Sequence, residues 1–141
     1  MSDKKEIRIF IIEDDFIFIE ILAGILDSLN EELAAKNVKI KYQTFYSNKE
    51  ASFELRCNPG IILLDYFIMD DELNADTGTE LLDDIREHDP SIDVIVISGQ
   101  ESPEVKKELL DKGATAYLSK DQESLNSLKP LLMEIISKKI T

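Results

Sequence analysis

Cysteine is nearly missing from this chain: Cys57 is the only one in 141 residues. A single thiol excludes an internal disulfide and suits a reducing cytosol. It falls late in a predicted helix, where a small packed residue is the expected reading. Histidine is as scarce, with His88 alone. Long apolar runs are absent too. The most apolar helical stretch, residues 16–26, contains Glu20 and is far too short to span a bilayer. Residues 1–6 are polar and lead straight into a strand, without the apolar stretch and cleavage site of a signal peptide. Positive charge is in short supply: 16 Lys and Arg against 29 Asp and Glu give a net charge of -13. That field repels nucleic acid and anionic lipid, which argues against direct DNA binding. No linker, repeat or low-complexity segment divides the chain. The expectation is a soluble cytoplasmic protein, a single domain over 1–141 with its core at about 6–139.

What the chain does have is four short apolar runs that each stop at a polar residue able to handle phosphate. Ile9 to Ile12 leads through Glu13 to Asp14 and Asp15, and Ile61 to Leu64 stops at Asp65. Val94 to Ile97 stops at Ser98, and Ala116 to Ser119 stops at Lys120. Such runs, bounded by turn signals and separated by helical patterns, read as buried strands of a parallel sheet. Strands are predicted over about 7–13, 38–45, 60–65, 92–98 and 114–119. Val38, Ile40 and Tyr42 alternate with polar residues, as in a strand with one wetter face near a sheet edge.

Helix one, about 16–36, sets Phe18, Leu22, Ile25, Leu29 and Leu33 on one face. Ser47 or Asn48 caps a short second helix that ends before Asn58-Pro59-Gly60. A third spans about 79–87, with His88 a solvent-facing residue at its end. Ser102-Pro103 opens a fourth, which Gly113 closes. Pro130 is tolerated only in a first turn, so Ser127 is expected to cap a last helix over about 128–138. Residues 121–126 would then be a loop or a loose first turn. The order βαβαβαβαβα, with right-handed crossovers and helices on both faces, gives a doubly wound three-layer α/β domain.

In an open parallel sheet all carboxyl ends lie on one edge, where such folds place their ligands. Asp14, Asp15, Asp65, Ser98 and Lys120 therefore converge. An acid pair opening a helix, or one Asp closing a strand, is ordinary structure on its own; the convergence carries the chemistry. Three carboxylates that close cannot all stay ionised unless a cation or an ammonium offsets them. Oxygen ligands without nearby His or Cys point to a hard ion, Mg2+ by preference. Lys120 supplies fixed positive charge for an anion, and Ser98 a hydroxyl donor. A metal, an ammonium and a hydroxyl around a carboxylate are what phosphoryl transfer onto that carboxylate requires.

Over nearly its whole length the sequence resembles the receiver domain of two-component response regulators. The resemblance rests on Asp14-Asp15 after strand one, Asp65 after Ile-Ile-Leu-Leu, and Ser98-Gly99 after strand four. It continues in Gly113-Ala114 and Tyr117-Leu118-Ser119-Lys120. It implies a flavodoxin-like (βα)5 sheet of order 2-1-3-4-5. It also implies that Asp65 accepts a phosphoryl group from a sensor histidine kinase or a histidine phosphotransfer protein. Asp14, Asp15 and Asp65 would hold Mg2+, Asp15 directly and Asp14 partly through water, and the backbone carbonyl of Phe67 would complete the site. Lys120 would contact the phosphoryl oxygens and Ser98 would swing in to hydrogen-bond them. Tyr117 matches an aromatic position whose inward rotation reports that movement. Phosphorylation would then switch the surface of helix four, strand five and helix five toward a downstream protein target. The chain would be a monomer or a phosphorylation-dependent dimer, without nucleic acid or membrane contacts. It would catalyse only its own phosphoryl transfer and slow autodephosphorylation.

Three features depart from the family pattern. The segment of about 66–78 is lengthened and acidic, with Met69 where a proline is usual. It reads either as a solvated insertion or as a docking or gating loop over the site. Asp121, not proline, follows Lys120, so no cis bond is expected there. Phe67 and Gln100 occupy positions that commonly tune phosphoryl lifetime, and bulky Phe67 is expected to hinder attacking water. A phosphohistidine-carrier role for His88 does not suit this fold. A haloacid-dehalogenase-type hydrolase would want a second Asp where Phe67 stands. A flavin binder would want a glycine- and hydroxyl-rich loop where the chain has Asp14-Asp15-Phe16. The rival that stays open is a receiver-like interaction module acting without phosphorylation. Since the chain ends at Thr141, just past its last helix, it is expected to be a stand-alone receiver or a fragment of a longer regulator.

Overall fold

Five strands and five helices alternate in the computed structural model, which describes residues 5–66, 79–99 and 103–140. In chain order they are β1 (Lys5–Ile12), α1 (Phe16–Leu33), β2 (Val38–Phe45), α2 (Asn48–Phe53) and β3 (Ile61–Asp65). There follow α3 (Thr79–His88), β4 (Asp93–Ser98), α4 (Pro103–Asp111), β5 (Ala116–Ser119) and α5 (Gln122–Lys139). Short 3-10 turns, Ala34–Lys36 and Glu54–Cys57, extend α1 and α2. All strand pairs are parallel and the order is β2-β1-β3-β4-β5, as expected.

Strand parity divides the core. Ile9, Ile11, Ile61, Leu63, Ile95 and Ile97 point to the face covered by α1 and α5. Their neighbours Phe10, Ile12, Ile62, Leu64, Val94 and Val96 point to the other, against α2, α3 and α4. A strand apolar at every position can lie only between two helical layers, which is why these runs do not alternate. On edge strand β2, Val38 and Ile40 are buried while Tyr42 is exposed and donates to Asp27 Oδ1 at 3.2 Å. Along α1 the buried stripe is Phe18, Leu22, Leu26, Leu29 and Leu33; Ile25, expected in it, is half-buried beside Leu26.

The last helix differs from its expectation. Instead of starting at 128 behind Ser127, α5 begins at Gln122, and Asp121 caps it by accepting from Ser124 N–H at 2.7 Å. Pro130 therefore lies inside the helix, and the Ser127 hydroxyl donates to the Ser124 carbonyl at 2.6 Å. An interior proline costs roughly 3 kcal/mol. Leu128, Leu132, Ile135 and Ile136 are all buried from this helix. Each such side chain contributes about 1.5–3 kcal/mol, so burial outweighs the proline. The expected Ser102 cap of α4 lies outside the described residues. At the other end of α4, Gly113 adopts φ +104, where a side chain would be strained and would meet Arg86. The Arg86 guanidinium donates to the carbonyls of Gly113, Ile92 and Pro90, tying α3 to the turns before β4 and β5.

His88 is exposed at the end of α3, as expected. Cys57 is half-buried against the second core, with its thiol 3.4 Å from Glu54 Oε2. Among the described residues no helix is long and apolar enough to cross a membrane, and no peptide bond is cis.

Candidate functional site

The carboxyl edge of the sheet is held by hydrogen bonds that carry the strand ladder past the strand ends. Glu13 N–H donates to Phe45 O at 3.0 Å, Tyr66 N–H to Ile97 O at 3.2 Å, and Lys120 N–H to Ser98 O at 2.9 Å. Glu13, Asp65, Ser98 and Lys120 are thereby fixed by backbone before any side chain is considered. Glu13, Asp65 and Ser98 are buried; Asp14 is exposed.

Carboxylate oxygens of Glu13, Asp14 and Asp65 lie within 4.8 Å of one another. Lys120 enters this cluster from β5. Its Nζ donates to Glu13 Oε1 at 2.7 Å and stands 3.5 Å from Asp65 Oδ2. The same ammonium lies 4.5 Å from the centroid of the Phe18 ring. Burial pulls the Lys120 ammonium down, but the Glu13 hydrogen bond and the charges of Asp65 and Glu13 outweigh it, and the net direction is up. Glu13 answers to the same crowding. Burial, then the adjacent Asp65 carboxylate, push its carboxyl up to about 8, against the opposing pull of Lys120. One ammonium therefore does not neutralise the cluster.

The other Glu13 oxygen, Oε2, is buried without a hydrogen-bond partner. An orphaned buried carboxylate oxygen is costly. Here it belongs to a group of all-oxygen donors close enough together to share a hard cation. The residues present fit Mg2+.

The expected site residues are distributed as follows. Asp14 and Asp65 meet in the cluster, and Lys120 reaches it. Asp15 instead closes the start of α1, where its Oδ1 accepts from the N–H groups of Ile17 at 2.9 Å and Phe18 at 3.4 Å. Ser98 ends β4 opposite Ser119. Tyr117 is half-buried and packs against the second core. Phe67, Gln100 and residues 67–78 of the lengthened loop lie outside the described residues. Glu13 was not among the expected site residues. Strand parity would have indicated it, because Glu13 continues the series Ile9 and Ile11 toward the α1 face.

The chain matches the family model described as response regulator receiver domain over residues 9–131, and it belongs to that family. A search of the curated proteins finds no match. Among solved structures it is similar to the receiver domain of the Francisella response regulator 1452. Identity is 23%, the TM-score 0.68, and coverage 94% of this chain and 98% of that one. A two-component response regulator from Clostridium difficile aligns at 20% identity and TM-score 0.74, covering 96% and 99% of the two chains. The Mn2+-bound form of response regulator Rcp1 aligns at 15% identity and TM-score 0.71, covering 88% and 90%. At these identities the likeness speaks for the fold.

Proposed function

We propose that the chain is a phosphoacceptor whose nucleophile is Asp65, charged by a histidine kinase or histidine phosphotransfer protein. The observation that carries this reading is the placement of the buried Asp65 carboxylate at a strand end, 3.5 Å from the Lys120 ammonium and beside the oxygens of Glu13 and Asp14. An Asp65 oxygen attacks phosphorus and the P–N bond to the donor imidazole breaks, its electron pair leaving with the imidazole nitrogen. Lys120 turns toward the phosphoryl oxygens and Ser98 supplies a hydroxyl donor from β4. Water attack on the acyl phosphate later returns the carboxylate and inorganic phosphate. The chain catalyses only these steps on itself.

Glu13, Asp14 and Asp65 are the side chains that would hold Mg2+, which neutralises charge on the transferring group. Response regulator Rcp1, which shares this fold, is known in a Mn2+-bound form, in keeping with a divalent ion as cofactor here. Phosphorylation then shifts the surface of α4, β5 and α5, with Tyr117 moving inward, toward a downstream protein target in the cytoplasm. Phe16 and Ile17 are exposed just past the acidic run. A protein partner covering them fits this reading and also the module that acts without phosphate. Acetyl phosphate with Mg2+ separates the two. The wild type is expected to gain one phosphate labile to hydroxylamine, and Asp65→Asn none. A wild type that binds Mg2+ and gains no phosphate would leave the interaction module standing.

A further inference from the structure

Lys120 is held on several sides, and one of them carries no charge. Its ammonium donates to Glu13 Oε1 at 2.7 Å, faces Asp65 Oδ2 at 3.5 Å, and lies 4.5 Å from the centre of the Phe18 ring. Phe18 is buried in the first core and sits in the first turn of α1. That turn is pinned by the Asp15 carboxylate, which accepts from the N–H groups of Ile17 and Phe18. A fixed path thus runs from Asp15 through one helical turn to an aromatic face, and ends on the ammonium.

An ammonium is a compact charge with three rotatable donors. Glu13 takes one of them. A carbonyl or second carboxylate in the place of the ring would take another, and that bond would have to break before an oxygen arriving on Asp65 could be met. An aromatic face attracts the cation through its quadrupole without fixing the direction of its donors. An aliphatic side chain would fill the volume without attracting the charge, and the ammonium would settle more deeply on Glu13.

We propose that Phe18 is a positioning residue for phosphoryl transfer: its ring holds the Lys120 ammonium between Glu13 and the oxygens of the group arriving on Asp65. The proposal rests on the phosphoacceptor reading above. It is tested by placing 4-fluoro-, 3,5-difluoro- and 3,4,5-trifluorophenylalanine at position 18, which drain the ring's negative face while nearly keeping its shape. Phe18→Tyr and Phe18→Leu accompany the series. The rate of phosphate gain from acetyl phosphate at saturating Mg2+ is read together with melting temperature and Mg2+ affinity.

The rate is expected to fall stepwise with each added fluorine, by about three- to tenfold at the trifluoro ring and in Phe18→Leu. Phe18→Tyr should stay within about twofold, and the fluorinated proteins should melt and bind Mg2+ like the wild type. A rate that ignores fluorine, or that follows melting temperature instead of the ring's electrostatics, overturns the proposal and leaves the phosphoacceptor reading intact. A wild type that takes up no phosphate overturns both.

Discussion

Asp14 and Asp15 are chain neighbours with different work. The Asp15 carboxylate satisfies two N–H groups at the start of α1, a cap of the kind worth about 1 kcal/mol. Asp14 turns an oxygen toward Glu13 and Asp65. Serine caps a helix as well as aspartate does but offers a metal no anionic oxygen. Asp15→Ser is therefore expected to hold Mg2+ affinity within about threefold and stability within a few tenths of a kcal/mol. Asp14→Asn should weaken Mg2+ by about tenfold or more, by analogy with the loss caused by altering a metal's immediate surroundings. Calorimetric titration decides it: an Asp15→Ser protein as impaired as Asp14→Asn would place Asp15 among the ligands. The strand-end positions of Asp65, Ser98 and Lys120 were legible in the sequence because each strand end offered one candidate. The run Glu13-Asp14-Asp15 offered three, and the deciding cues were an Asp directly before the first helical residue and the parity of β1.

Edge strand β2 shows how a helix can finish a sheet. Asn30 of α1 brackets Ile40, its Nδ2 donating to the carbonyl at 3.0 Å and its Oδ1 accepting from the N–H at 2.6 Å. A side-chain amide here stands where a neighbouring strand would, which blunts an edge open to pairing with other chains. Asn30→Ala is expected to cost about 1–2 kcal/mol in urea unfolding, since both Ile40 groups lose a partly buried partner. Amide exchange at Ile40 should speed up while exchange on β3 and β4 changes only with global stability. Unaltered exchange at Ile40 would show that the Asn30 side chain does not protect that amide. Nothing local in the sequence announces this bracket, because it joins residues ten apart through the turn between α1 and β2. The start of α5 was hidden for a related reason. Proline's local rule favoured a start near 128, while the side chains that overrule it act through the sheet.

At the scale of the whole molecule, the apolar runs, their spacing and the polar strand ends were enough to read a parallel three-layer sheet. The strand order itself came with the family resemblance. What neither supplied is how the fold tolerates a buried acid, and that has a consequence for global stability. The Glu13 carboxyl, raised by burial and by Asp65 to about 8, keeps its proton in the folded state over a range where the unfolded chain has lost it. Between the ordinary glutamate range and about pH 8 the folded state then binds up to one proton more, so stability falls as pH rises. The slope can reach about 1.4 kcal/mol per pH unit for one proton, and it flattens once Glu13 ionises in the folded state too. Glu13→Gln has nothing to titrate. In EDTA, the difference in unfolding free energy between wild type and Glu13→Gln should therefore shift against the wild type from pH 5 to pH 8 and level off above. A difference that stays constant across that range would mean that Lys120 keeps Glu13 ionised throughout, and that the cluster carries its full negative charge before any cation arrives.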